Sequence, residues 1–307
     1  MMLNTASPAH GESEIAGTGV TYRGRVGIAL LIALSMLLSH GALHIARGEP
    51  AGPSPAASDR SSCNRSTFRV VVDVGHTVGK PGVMSSRGVP EYEFNLRLAK
   101  QIEQKLIDAG FGRTVLLITT EPPRRGLFKR AARANSLRAD LFVSIHHDGV
   151  PDAFVEKWEY DGRENYFSDR FRGHSIFVSY NNGDRKGSLL YGKLLGDRLK
   201  ARGLQYTPHY TEKMMGKWRR ELVDAEAGVY RYDQLVVLRE TRMPAVLLEA
   251  GSIVNRDEEL LLPGAERQSL ISAAVADAIE SFCASRASRK AGRLTPARGE
   301  ATIPLPR

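Results

Sequence analysis

Three polar residues stand where apolar runs end. Phe68-Arg-Val-Val-Val-Asp-Val74 leads through Gly75 to His76, and Leu141-Phe-Val-Ser-Ile145 runs into His146, with His147 and Asp148 after it. Ala245-Val-Leu-Leu248 runs into Glu249. Imidazole nitrogen and carboxylate oxygen both suit zinc, and a catalytic zinc site needs three protein ligands with one position left open. These residues lie far apart in the chain, so they make a metal site only if the fold gathers them. Scattered, hydrogen-bonded histidines are the alternative. His174 and His209 have no comparable setting and read as ordinary surface or core histidines. A nucleophilic serine has no G-x-S-x-G motif to carry it.

The elements that would position these groups alternate between two periodicities. β-Branched runs predict buried strands at 68–74, 114–119, 141–146, 175–179 and 245–249. Phe94, Leu98, Ile102 and Leu106 recur every four residues and predict a helix from Glu93, stopped at Gly110. Further helices are predicted over 127–137, 189–202 and 268–282. Strands alternating with helices indicate an α/β fold with a largely parallel sheet. In such sheets the carboxyl ends of the strands form the binding crevice, where His76, His146 and Glu249 would meet.

The 307 residues are 42% hydrophobic and 25% charged, which excludes wholesale disorder, a collagen repeat and a multi-span membrane protein. Net charge is +9, and more than half of the excess sits in residues 284–307, where six basic residues face Glu300 alone. A basic tail without an aromatic-studded groove does not indicate a nucleic-acid binder. Near the start, Arg23 and Arg25 precede the apolar run Val26–Leu38. At helical rise it spans about 20 Å, short of a bilayer core of roughly 30 Å. Residues 1–46 therefore read as a signal peptide with a preceding tail; extended to Ala46, the run could instead serve as a retained anchor. Residues 47–66 have the composition of a flexible linker, 67–283 form one folded domain, and 284–307 read as a disordered basic tail. Cys63 and Cys283 bracket the domain, and in an exported protein such a pair reads as a disulfide; two free thiols are the alternative.

Three blocks carry a family resemblance. Val72-Asp-Val-Gly-His-Thr-Val-Gly-Lys-Pro-Gly82 with Gly88-Val-Pro-Glu-Tyr-Glu-Phe-Asn-Leu96, then Ala139-Asp-Leu-Phe-Val-Ser-Ile-His146, then Val237–Gly251 with Asn255–Leu261, resemble in order the zinc-dependent N-acetylmuramoyl-L-alanine amidases of the Amidase_3 (AmiC-like) family. The resemblance covers about Val70 to Phe282 and implies a twisted, largely parallel sheet flanked by helices in a single domain. It places His76, Glu91 and His146 on the zinc ligands and Glu249 on the catalytic glutamate. Glu93 then takes the place of a carboxylate at a helix N-terminus, Asn95 and Asp148 support neighbours, and His147 points to the other side of its strand.

The activity implied is hydrolysis of the amide between N-acetylmuramic acid and L-alanine of the peptidoglycan stem peptide. Peptidoglycan would be the partner, alongside a possible regulatory protein. Nucleic acid would not be one, and a membrane would be one only if the N-terminal segment is retained. The address would be the periplasm or cell envelope. An inactive wall-binding or activator protein and a zinc carboxypeptidase are the rival readings. Several residues depart from the family pattern: Thr77-Val78 stand for a small glycine pair, Lys80 for an aspartate, and His147-Asp148 for a small residue and asparagine. Ala250-Gly-Ser252 lacks bulky neighbours. Between the second and third blocks, residues 150–172 interleave aromatics with polar residues and would either line the crevice or pack as a plain loop.

Overall fold

The computed structural model describes residues 63–294; the N-terminal apolar segment, most of the linker and the last residues of the tail lie outside them. In chain order the regular elements are β1 (Val70–Val74), α1 (Glu91–Asp108), β2 (Val115–Leu117), α2 (Pro123–Ser136), β3 (Leu141–Asp148), β4 (Glu156–Tyr160), β5 (Arg163–Phe167), β6 (Ser175–Val178), α3 (Arg185–Lys200), β7 (Glu221–Asp224), β8 (Val229–Arg231), α4 (Val236–Arg239), β9 (Ala245–Ser252), α5 (Glu258–Leu261) and α6 (Ala265–Leu294). Seven strands form one sheet in the order β2-β1-β3-β9-β6-β8-β7. The pairs β1–β2, β1–β3, β3–β9 and β6–β8 are parallel; β6–β9 and β7–β8 are antiparallel. The sheet is thus largely parallel, as the strand–helix alternation predicts.

Why the central strands read so clearly follows from their burial. Val70, Val72 and Val74 face one side with Val143, Ile145, Val246 and Leu248, and α1, α3 and α6 cover them through Leu98, Ile102, Leu195 and Ile279. Val71, Phe142, Leu247 and Phe177 face the other side, against Ala134 of α2 and Val237 and Leu238 of α4. Strands buried on both faces are continuously apolar, and each fully buried large aliphatic contributes roughly 1.5–3 kcal/mol. Among the described residues no helix is long and apolar enough to cross a membrane.

At the amino edge of the sheet Cys63 and Cys283 form a disulfide, with Cα atoms 5.0 Å apart. Beside it, Arg65 pairs with Glu280 at 2.7 Å. The last residues of the predicted linker are therefore held against α6, because the bridge and the ion pair pull them onto the domain. α6 likewise runs on to Leu294. The first part of the predicted disordered tail is thus helical, continuing a helix whose buried face packs on α3 and α1 and whose Arg286 pairs with Asp184 at 3.1 Å.

Candidate active site

α1 starts immediately after Pro90, and its first residue, Glu91, is only 3% exposed. The helix carries Glu91 over the carboxyl ends of β1 and β3. There His76 Nε2 lies 2.9 Å from one carboxylate oxygen and His146 Nδ1 lies 3.0 Å from the other. The donor atoms of His76, Glu91 and His146 all fall within 4.8 Å of one another and could hold one metal ion. Burial pushes the Glu91 carboxyl up, but the hydrogen bonds and charges of His146 and His76 outweigh it and hold the group well below the usual carboxylate range.

The donor set passes a simple test of fit. A carboxylate this deeply buried requires positive charge, and the ion pairs of Glu91 among the described residues are with these two histidines alone. Neutral imidazoles supply no such charge, whereas a divalent cation between the three donors does. Two nitrogens and one oxygen leave a fourth tetrahedral position free.

Close backbone approaches make the arrangement possible. A Cβ at Gly75 would collide with the His146 ring, and one at Gly82, where φ is +85°, would collide with the Glu91 carboxylate. His76 itself adopts the left-handed region at φ 63°, which a non-glycine residue occupies only when its surroundings compel it. Arg130 of α2 supplies part of that compulsion. Its guanidinium, 4% exposed, pairs with Asp73 at 2.5 Å and donates to the carbonyls of Val74 and His76. Ser144 Oγ donates to the second Asp73 oxygen at 2.7 Å. Burial still dominates at Asp73 and pushes its carboxyl upward.

The partners behind the triad are equally definite. Asn95, one turn beyond Glu91, donates to Glu91 Oε1 at 3.0 Å and to the Gly75 carbonyl at 3.3 Å. Its oxygen lies 2.8 Å from His147 Nδ1. His147 therefore faces away from His146, packed against Phe94, and burial drives its imidazole down to about 3. Glu93 is exposed in the first turn of α1, where the helix dipole favours a carboxylate.

Glu249 stands beside the triad. In the β3–β9 register it is directly opposite His146, so both side chains leave the same face of the sheet. On its other flank it is opposite Ser175 of β6. Its Oε2 is buried and has no hydrogen-bond partner within the protein. Burial, with the Asp148 and Glu91 carboxylates nearby, pushes Glu249 well above the usual carboxylate range. Asp148 receives the Tyr210 hydroxyl on both oxygens at 2.8 Å, and burial raises its carboxyl to about 7.

A cleft of about 160 Å³ opens beside His76 and His146, and Asp73, Lys80, Glu121 and Arg130 also line it. His174 and His209 are buried core residues. Segment 150–172 holds the antiparallel β4–β5 hairpin, turned at Asp161-Gly162 with φ 52° and 67°. Trp158 donates to the Ser86 carbonyl at 2.8 Å, and Arg87 and Arg256 lie over its ring, so the hairpin packs on the loop before α1. The Asp-Gly pair is a strong hairpin signal that the sequence reading passed over. Arg130 and Tyr210 were also missed: nothing local marks one arginine among several in α2, or a lone tyrosine in an irregular segment.

Comparison with known proteins adds an independent observation. A family model described as N-acetylmuramoyl-L-alanine amidase (Amidase_3) matches residues 70–281. The N-acetylmuramoyl-L-alanine amidase AmiA of Escherichia coli is 27% identical over 230 residues, covering 69% of this chain and 75% of the relative. The crystal structure of the N-acetylmuramyl-L-alanine amidase Ami1 from Mycobacterium smegmatis aligns with TM-score 0.55 at 22% identity, over 72% of this chain and 99% of that one. The CwlD amidase from Clostridioides difficile, solved in complex with the GerS lipoprotein, aligns with TM-score 0.51 at 20% identity, over 70% of this chain and 98% of that one. At these identities the two structures show a shared fold.

Proposed function

The chain belongs to the Amidase_3 family of N-acetylmuramoyl-L-alanine amidases, and from that premise we propose that it hydrolyses the amide joining N-acetylmuramic acid to L-alanine of the peptidoglycan stem peptide, in cell-wall remodelling or cell separation. The observation that carries this reading is the placement of Glu249 directly across the strand pair from His146 of the His76–Glu91–His146 triad. We assign zinc to the triad and proton transfer to Glu249.

Zinc bound at such a site supplies a Lewis acid that brings the pKa of water to about 7 and polarises a carbonyl oxygen. The chain's own residues do the rest. Glu91 and the two imidazoles would hold the ion, Asn95 fixes Glu91, and Arg130 fixes the backbone of His76. Glu249, whose Oε2 is free of protein partners, takes a proton from the attacking water and delivers it to the departing alanine nitrogen. General acid–base help of this kind contributes about 10²–10⁴-fold.

The Cys63–Cys283 disulfide supports export to an oxidising compartment, the periplasm or cell envelope. A regulatory protein partner is supported only by the CwlD–GerS assembly of a fold neighbour. Incubation with purified peptidoglycan followed by mass analysis tests the assignment. Expected products are whole stem peptides with a free alanine amine and glycan strands with intact muramic acid. A chelator should stop their release and zinc should restore it, and His146→Ala should lose the metal. Fragments cut within the peptide would overturn the amidase reading in favour of a carboxypeptidase. Full zinc retention by His146→Ala would overturn the ligand assignment.

A further inference from the structure

The charges lining the cleft can be paired off one by one. Asp73 is held by Arg130 at 2.5 Å and Glu121 by Lys129. Lys80 is left over: it lines the same cleft as His76 and His146, its residue is exposed, and among the described residues no ion pair involves it. Nor is its backbone loose. The Thr77 N–H donates to the Lys80 carbonyl at 3.2 Å, the Lys80 N–H donates to the Thr77 carbonyl at 3.1 Å, and Thr77 Oγ1 accepts from the same N–H at 3.1 Å. Lys80 is thus anchored in a closed turn that begins next to His76.

An unpaired ammonium on a rigid turn, with both carboxylates that line its cleft, Asp73 and Glu121, already held by basic partners, is open to an anion from outside. We propose that Lys80 is a specificity-determining residue that receives a free carboxylate of the stem peptide, on the residue next to the alanine whose amide is cut. The proposal rests on the amidase reading and deepens it. A lysine ammonium serves as a point charge for such a group, making no bidentate pair, so the interaction discriminates by charge. It also weakens as salt screens it.

Two synthetic muropeptides, identical except that this carboxylate is free in one and amidated in the other, test the proposal. The unaltered protein should cleave the free-carboxylate substrate with kcat/KM higher by about three- to fivefold, the range of a partly exposed ion pair. The difference should reside in KM and shrink at high salt. Lys80→Gln should close the gap by slowing the carboxylate substrate, Lys80→Glu should invert it, and Lys80→Arg should preserve it. An unchanged substrate ratio in Lys80→Gln, with both substrates still cut, overturns the proposal and leaves the amidase reading standing. Failure of the unaltered, zinc-loaded protein to cut either substrate overturns both.

Discussion

The two edges of the sheet are built on opposite rules. At the amino edge polar groups find partners: the disulfide joins Cys63 to Cys283, Arg65 meets Glu280, and the Asp140 carboxylate accepts the Arg69 N–H at 2.8 Å. At the carboxyl edge buried polar atoms gather without them, among them Glu249 Oε2, His147 Nε2, Ser175 Oγ, Ser252 Oγ and both ring nitrogens of His174. Every histidine among the described residues belongs to the second region or its flanks. Orphaned buried groups cost about 1–3 kcal/mol each. The contrast teaches that this domain is cross-linked at one edge and keeps unpartnered buried polar atoms at the other.

The sharpest way to break that contrast is Glu249→Gln. The amide is close to isosteric but cannot act as a base at neutral pH. Hydrolysis of purified peptidoglycan should fall by about 10²–10⁴-fold, the range for loss of a positioned acid–base group. Melting temperature and zinc content should remain close to those of the unaltered protein. Near-normal release of stem peptides would show that another group moves the proton; collapse of the fold would show that the carboxyl edge carries stability after all.

Cys283→Ser probes the other side. The bridge spans 220 residues, for which the chain-entropy model gives on the order of 5 kcal/mol, an upper figure that measured disulfides usually fall below. The variant should melt at lower temperature and denature at lower urea, yet hydrolyse peptidoglycan normally at moderate temperature, since the triad lies at the far edge. Activity lost in a folded Cys283→Ser protein would mean that the two edges are coupled.

How far these edges were legible in the sequence differs for physical reasons. β1, β3 and β9 were readable because both faces of each are buried, which leaves unbroken apolar runs that end at His76, His146 and Glu249. Strand spacing alone suggested a site but offered Glu249 as its carboxylate. Glu91 emerged only from family resemblance, because nothing local says that the first turn of a helix will reach over two strand ends. β7 and β8, four and three residues long, were missed because elements so short show no period. β4 and β5 were missed because they are mostly exposed. The bracing of His76 by Arg130 depends on how α2 docks on β1, a tertiary fact with no local pattern.

A smaller effect separates the edges by pH. Burial lowers the imidazoles of His174 and His209, each to about 4, and both lie outside the triad. Free histidine titrates near 6.5. Between about pH 4 and 6.5 the unfolded chain therefore binds more protons at these residues than the folded one, so stability rises with pH through that window and is lost as pH falls. Each such imidazole contributes a loss of about 1 kcal/mol between pH 6 and pH 5. Urea denaturation of the chelator-treated unaltered protein and of His174→Leu at the two pH values isolates one such contribution. His174→Leu should make the pH 6-to-5 loss smaller by about 1 kcal/mol, since that titrating group is gone. An unchanged pH dependence in that variant would place the acid lability elsewhere, and a loss that tracked the disulfide would move it to the amino edge.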